Sequence, residues 1–142
     1  SVADHTFRAA LLCMIFSGLE GLDELKMLQM ALIHDLPEVI VGDLTPSQKI
    51  KADKNKEEDA MKSLLAFLPK KVGSKYIKVW HEYASGETVE AKTVRQLEKL
   101  EMALQAREYG KTGVTKENLK VFIKSAEKDI RSPAIRALFS CI

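Results

Sequence analysis

Apolar residues recur at three- and four-residue spacing along nearly the whole chain, a period that only helices can turn into a buried face. From Val2 to about Phe16 the pattern runs through Phe7, Ala10, Leu11, Met14 and Ile15, and Ser1 with Asp4 has the form of a capping box. Ser17 to Leu22, with Gly18 and Gly21, reads as a break. Asp23 then opens a second helix in which Leu25, Leu28, Leu32 and Ile33 favour burial and which Pro37 limits. The β-branched run Val39-Ile40-Val41 would have no strand to pair with, so it reads as a helical turn or buried loop. A loop is expected from Asp43 to Lys51, and from Ala52 to Leu68 charges give way to apolar residues. Further helices are expected over Val72 to Ala84, Glu87 to Tyr109, Lys116 to Ile130 and Pro133 to Ser140. No repeat, low-complexity tract or linker divides these segments, so the expectation is one all-α helical domain over residues 1–142.

The 142 residues are 46% apolar, enough for one core, and the charges nearly cancel at net +2. That balance lacks the basic footprint of a protein that coats a nucleic-acid polymer, although a small anion needs only a local site. Cys13 and Cys141 are far apart and form no CxxC pair, which favours two free thiols and a cytoplasmic setting. No apolar stretch is expected to span a bilayer, and no signal-peptide pattern opens the chain. Because Ser1 leads straight into a helix without a methionine, residues upstream of it are expected.

The chemistry concentrates in Ala31-Leu32-Ile33-His34-Asp35-Leu36-Pro37-Glu38. An imidazole beside a carboxylate suits borderline divalent metals, and His5 on the preceding helix could complete most of a site if the two helices pack together. The dipeptide alone is weak, because a lone helical histidine is more often a core or surface residue. Glu38, Gly42-Asp43 and the His5 segment supply the context that strengthens it. For Glu38 the competing role is an acid at a helix N-terminus after Pro37, and for Asp43 an ordinary turn residue after Gly42. Glu98 lies within about 40° of Ala91, Val94 and Met102 on a helical wheel. An acid on so apolar a face needs a partner, either a metal or a cation such as Arg95 one turn away. Arg8, three residues past His5, points either to the pocket or to a core acid. His81 has no ligand-spaced partner, and Trp80 and Tyr83 beside it read as helix packing.

Three segments together resemble the HD-domain phosphohydrolases, and within them the 5'-deoxynucleotidase branch. They are Ser1-Val2-Ala3-Asp4-His5, the run from His34 to Leu44, and Ala91 to Met102. The similarity extends to about Tyr109 and includes Trp80-His81-Glu82-Tyr83. It implies an all-helical fold with one divalent metal (Mn, Co, Fe, Ni, Zn or Mg) held by His5, His34, Asp35 and a fourth acid. The fourth position in the family is an aspartate, and the matching residue here is Glu98, one methylene longer. It would ligate with a shifted backbone, reach the metal through water, or leave the site partly open.

The resemblance also places Glu38 against the phosphate or the attacking water, and Asp43 as the group that activates water or protonates the leaving oxygen. An Arg-Trp pair that contacts nucleotide in bacterial members would precede Ser1, and Thr45 stands where such members have proline. The implied activity is release of phosphate from deoxyribonucleoside 5'-monophosphates by a metal-activated water, in a homodimer. Two alternatives stay open: an HD phosphodiesterase or phosphohydrolase acting on another nucleotide, and a non-catalytic nucleotide-binding or scaffold protein whose metal site is weakened at Glu98. No nucleic-acid polymer and no membrane are expected as partners.

Overall fold

A computed structural model describes residues 2–42, 54–110, 124, 128 and 131–141. Among these, α1 (Val2–Glu20) is followed by α2 (Glu24–Ile33), α3 (Glu38–Val41), α4 (Lys54–Leu65), α5 (Lys70–Ser85), α6 (Val89–Gly110) and α7 (Pro133–Phe139). No strand occurs among the described residues, and Val39-Ile40-Val41 is the helical turn α3. Ser1, the Asp43 to Lys51 loop with Asp43 itself, and most of the expected Lys116 to Ile130 helix lie outside the described residues.

Local chemistry sets the helix ends. Asp23 accepts from the Lys26 N–H at 3.0 Å to start α2, and Ser132 accepts from the Ile135 N–H to start α7 with Pro133 in its first turn. Gln96 on α6 accepts from the Arg131 and Ser132 N–H groups at 2.6 and 2.7 Å, fixing where α7 begins. The break expected at Ser17 does not occur, since α1 continues to Glu20. The Ser17 hydroxyl bonds back to the Met14 carbonyl, and Gly18 is carried inside the helix at a cost of about 1 kcal/mol. The stop comes at Gly21, whose φ of 66° allows the Leu22 N–H to reach the Ser17 carbonyl at 2.9 Å, the six-to-one bond of a Schellman end.

The main core joins α1, α2, α6 and α7 through Cys13, Phe16, Met27, Met30, Ala31, Val94, Leu97, Leu100, Ala103 and Ile135. A second cluster of Ile33, Met61 and Trp80 ties α2 to α4 and α5. Burial in α2 differs from the sequence expectation: Ile33 is buried, but Leu25 and Leu32 are 64% and 55% exposed, and Met27, Met30 and Ala31 lie inside. Leu25 and Leu32 share a wheel position roughly opposite Met27, on a helix apolar all round, so periodicity alone does not choose between its faces.

A similar inversion holds in α1. Ala9, Cys13, Phe16 and Ser17 are buried, whereas Phe7, Leu11, Met14, Ile15 and Leu19 are exposed. Contrary to the sequence expectation, the 19 residues of α1 are long and apolar enough to cross a membrane by length and composition. Its inner face is nevertheless part of the core. Cys13 and Cys141 are both free thiols, and burial, with the charge of Glu98 adding to it, pushes Cys13 up to about 12.

Candidate metal site

Three helices deliver the polar cluster. His5 rises from the first turns of α1, and His34 is the C-cap of α2, where its N–H closes on the Met30 carbonyl. Asp35 follows directly. The α2 terminus brings its negative pole to this point, which favours a cation. Glu98 and Glu101 come from one face of α6.

Each histidine has one ring nitrogen committed to the protein. His34 Nδ1–H donates to the Ala31 carbonyl at 2.8 Å, and His5 Nδ1–H donates to Glu101 Oε2. Both therefore turn Nε2 toward the same space. His34 Nε2 is 3.4 Å from His5 Nε2 and 3.0 Å from Asp35 Oδ2, and His5 Nε2 is 3.8 Å from that oxygen. Ligand atoms of His5, His34 and Asp35 all lie within 4.8 Å of one another, so these three residues could hold a metal ion. Two inward-facing Nε2 atoms have no use for each other when neutral, and a shared cation satisfies both.

Glu98 is 9% exposed and approaches the cluster through Oε1, 3.6 Å from His34 Nε2. That oxygen has no hydrogen bond, while Tyr83 O–H donates to Oε2 at 2.8 Å. Burial raises the Glu98 carboxyl above its ordinary range, with the charge of His34 and the Tyr83 hydrogen bond working against it. Burial, together with the Glu98 charge, also raises Tyr83 well above its ordinary value, so it remains a hydroxyl donor. Arg95 does not pair with Glu98: its guanidinium lies 5.3 Å over the Tyr83 ring and donates to the Ala84 carbonyl at 2.7 Å. A Cβ at Gly86 would lie 2.5 Å from Arg95 Nη1, so that left-handed glycine leaves the space Arg95 occupies.

Glu38 opens α3 one turn beyond Asp35, its N–H donating to the Asp35 carbonyl at 2.9 Å. It is half-buried and outside the three-residue cluster. Arg8 is bound by acids: Nη2 donates to Glu108 at 2.6 Å and Nη1 lies 3.7 Å from Glu101 Oε1. His81 is largely exposed and sits 3.6 Å from Glu58, consistent with a residue outside the site. Sequence reasoning missed Glu101 and the polar role of Tyr83. The signal for Glu101 is a second acid about 60° from Glu98 on the same apolar wheel face.

These positions have a consequence for pH. Burial, the largest influence on His34, pulls its pKa down, but the Asp35 hydrogen bond, the Glu98 and Asp35 charges and the Ala31 carbonyl outweigh it and leave the imidazole at about 9. Its contribution to metal-free stability is fully present below the ordinary 6.5 and is lost as pH rises through about 9. Metal affinity runs the other way, because the ligand must give up its proton. It should climb about tenfold per pH unit from pH 7 and level off near 9. Calorimetric titration with Mn²⁺ in buffers of different ionisation enthalpy reads both affinity and released protons. A flat affinity over that window would contradict this assignment.

The HD domain family matches residues 1–137 of the chain. The 5'-deoxynucleotidase HDDC2 of Homo sapiens is 36% identical over 142 residues, covering 99% of this chain and 69% of its own length. The protein of the same name from Dictyostelium discoideum is 37% identical over 150 residues, covering 97% of this chain and 79% of its own. Among solved structures, a conserved hypothetical protein from Pyrococcus furiosus superposes with a TM-score of 0.78 at 30% identity, covering 99% of this chain and 81% of its own.

Proposed function

The chain belongs to the HD domain family, and on that premise we propose that it is a metal-dependent phosphohydrolase that releases phosphate from deoxyribonucleoside 5'-monophosphates. The observation that carries the reading is the convergence of two buried or half-buried imidazoles and a carboxylate on one point, each imidazole oriented by its other nitrogen. The relatives named for this activity, at 36% and 37% identity over nearly the whole chain, supply the substrate class.

The donor set fits a divalent ion. His5, His34 and Asp35 would hold it, and Glu98 Oε1, buried without a hydrogen bond, would complete the site with the charge that a dication balances. Mixed imidazole and carboxylate donors suit Mn, Co, Fe, Ni or Zn, with Mg the least favoured by the nitrogens. When bound, the ion supplies Lewis-acid stabilisation of phosphoryl oxygens and lowers the pKa of water.

The remaining work falls to the chain. Glu38, at the start of α3 and one turn from Asp35, would contact the phosphate or take a proton from the attacking water. Asp43, the residue after the Gly42 that ends α3, would protonate the leaving 5'-oxygen or share in water activation. Arg8 is one turn from His5, and contact with phosphate would require it to exchange Glu108 for the substrate. Tyr83 keeps Glu98 aimed at the cluster.

Pairing of two copies would cover the exposed stripe of Phe7, Leu11, Met14, Ile15 and Leu19 on α1, which supports the homodimer reading. Two free thiols support a reducing, cytoplasmic setting, and the inner face of α1, packed into the core, supports a role that involves no membrane.

Phosphate release from a panel of ribo- and deoxyribonucleoside 5'-monophosphates with Mn²⁺, Co²⁺ or Mg²⁺ tests the proposal. Release should be faster from the deoxy series. No release from any monophosphate by metal-loaded protein would reject the substrate class, and turnover confined to cyclic or polyphosphorylated nucleotides would move the activity to another HD chemistry.

A further inference from the structure

Glu101 is 1% exposed, in the middle of α6 between the core residues Leu100 and Ala103. A carboxylate there is costly to bury unless something uses its charge. Its directional partner is His5, whose Nδ1–H donates to Oε2. Arg8 accounts for it only in part. The Arg8 guanidinium makes its 2.6 Å hydrogen bond to Glu108, and stands 3.7 Å from Glu101 Oε1, an oxygen with no hydrogen bond. The same two-sided arrangement appears at His34, where the Ala31 carbonyl takes Nδ1–H and Nε2 faces the cluster. Among the described residues no backbone carbonyl takes the His5 ring N–H, and a side chain from another helix performs this task.

We infer that Glu101 is the positioning residue of His5: it holds the Nδ1–H tautomer and turns Nε2 toward His34 and Asp35. Its carboxylate charge also makes the imidazole a stronger donor than a carbonyl would. Glu101 never touches the ion or the substrate. The inference rests on the reading of His5, His34 and Asp35 as the metal site.

Glu101→Gln retains shape and an acceptor oxygen but removes the charge. Co²⁺ titration, followed by visible absorption and equilibrium dialysis, should show affinity about 10- to 100-fold weaker than wild type. The metal-free variant should keep its helical circular dichroism. A merely structural ion pair with Arg8 would lower thermal stability and leave Co²⁺ affinity unchanged, and that result overturns the inference. If wild type itself binds no Co²⁺, the metal-site reading fails and takes the inference with it. Should the variant not fold, ¹⁵N imidazole spectra of metal-free wild type decide: neutral His5 protonated at Nδ1 supports the assignment, and protonation at Nε2 overturns it.

Discussion

His34→Ala should abolish stoichiometric metal binding and reduce phosphate release by at least about a thousandfold, since Lewis-acid stabilisation is worth several kcal/mol and each 1.4 kcal/mol is tenfold in rate. His34 is the centre of the cluster by distance: its Nε2 is 3.0 Å from Asp35, 3.4 Å from His5 and 3.6 Å from Glu98. Truncation also has a stability cost, because Asp35 loses its 3.0 Å partner beside the core, a penalty of about 1–3 kcal/mol. Activity and metal content must therefore be read well below the melting temperature, with circular dichroism confirming the fold. His81→Ala provides the control, since that imidazole is exposed beside Glu58 and should leave both quantities at the wild-type level. Full metal occupancy in a folded His34→Ala protein would mean that the ion binds elsewhere.

Much of this site can be read in the sequence because its ligands sit where helices begin and end. His34 and Asp35 follow an apolar run that Pro37 must terminate, and His5 lies in the first turns of α1. Local chemistry marks such places, so α2 starts after Asp23 and α7 at Pro133, as the sequence indicates. Which helix face turns inward is different, because it depends on neighbours distant in sequence. Leu25, Leu32 and Phe7 have the same hydrophobicity whether they meet Leu97 or water, and the wheel of an all-round apolar helix is silent on the choice. Glu101 and Tyr83 escaped for the same reason: each acts on a residue of another helix, His5 and Glu98 respectively, through a contact that local spacing does not encode. The end of α1 shows the complementary case. Ser17 and Gly18 are poor helix formers, yet tertiary packing of Phe16 and Ser17 carries the helix past them to the glycine whose φ of 66° can form the stop.

Glu98→Gln should separate function from stability in opposite directions. The carboxyl is buried, and burial raises its pKa above the ordinary 4.5 despite the charge of His34 and the Tyr83 hydrogen bond. A raised acid binds its proton more tightly folded than unfolded. Stability therefore declines as pH climbs from 4.5 through the raised value, and the full penalty persists above it. An amide removes that penalty while its oxygen still accepts from Tyr83 O–H, so metal-free Glu98→Gln at pH 8 should melt no lower than wild type. A gain of about 1 kcal/mol would appear as roughly 4 °C. The same change places an N–H donor or a neutral oxygen where Oε1 now stands unbonded, removing one negative charge from the cation's surroundings. Metal affinity should fall by about 100-fold or more, and phosphate release at subsaturating metal should fall with it. The extra methylene of this glutamate then has a physical role: it spans from α6 to the Tyr83 hydroxyl at 2.8 Å while leaving Oε1 3.6 Å from His34 Nε2. Melting curves of the metal-free proteins and Mn²⁺ calorimetry at one pH decide the matter. A Gln variant that melts lower yet binds metal like wild type would make Glu98 a packing residue and leave His5, His34 and Asp35 as the whole protein contribution.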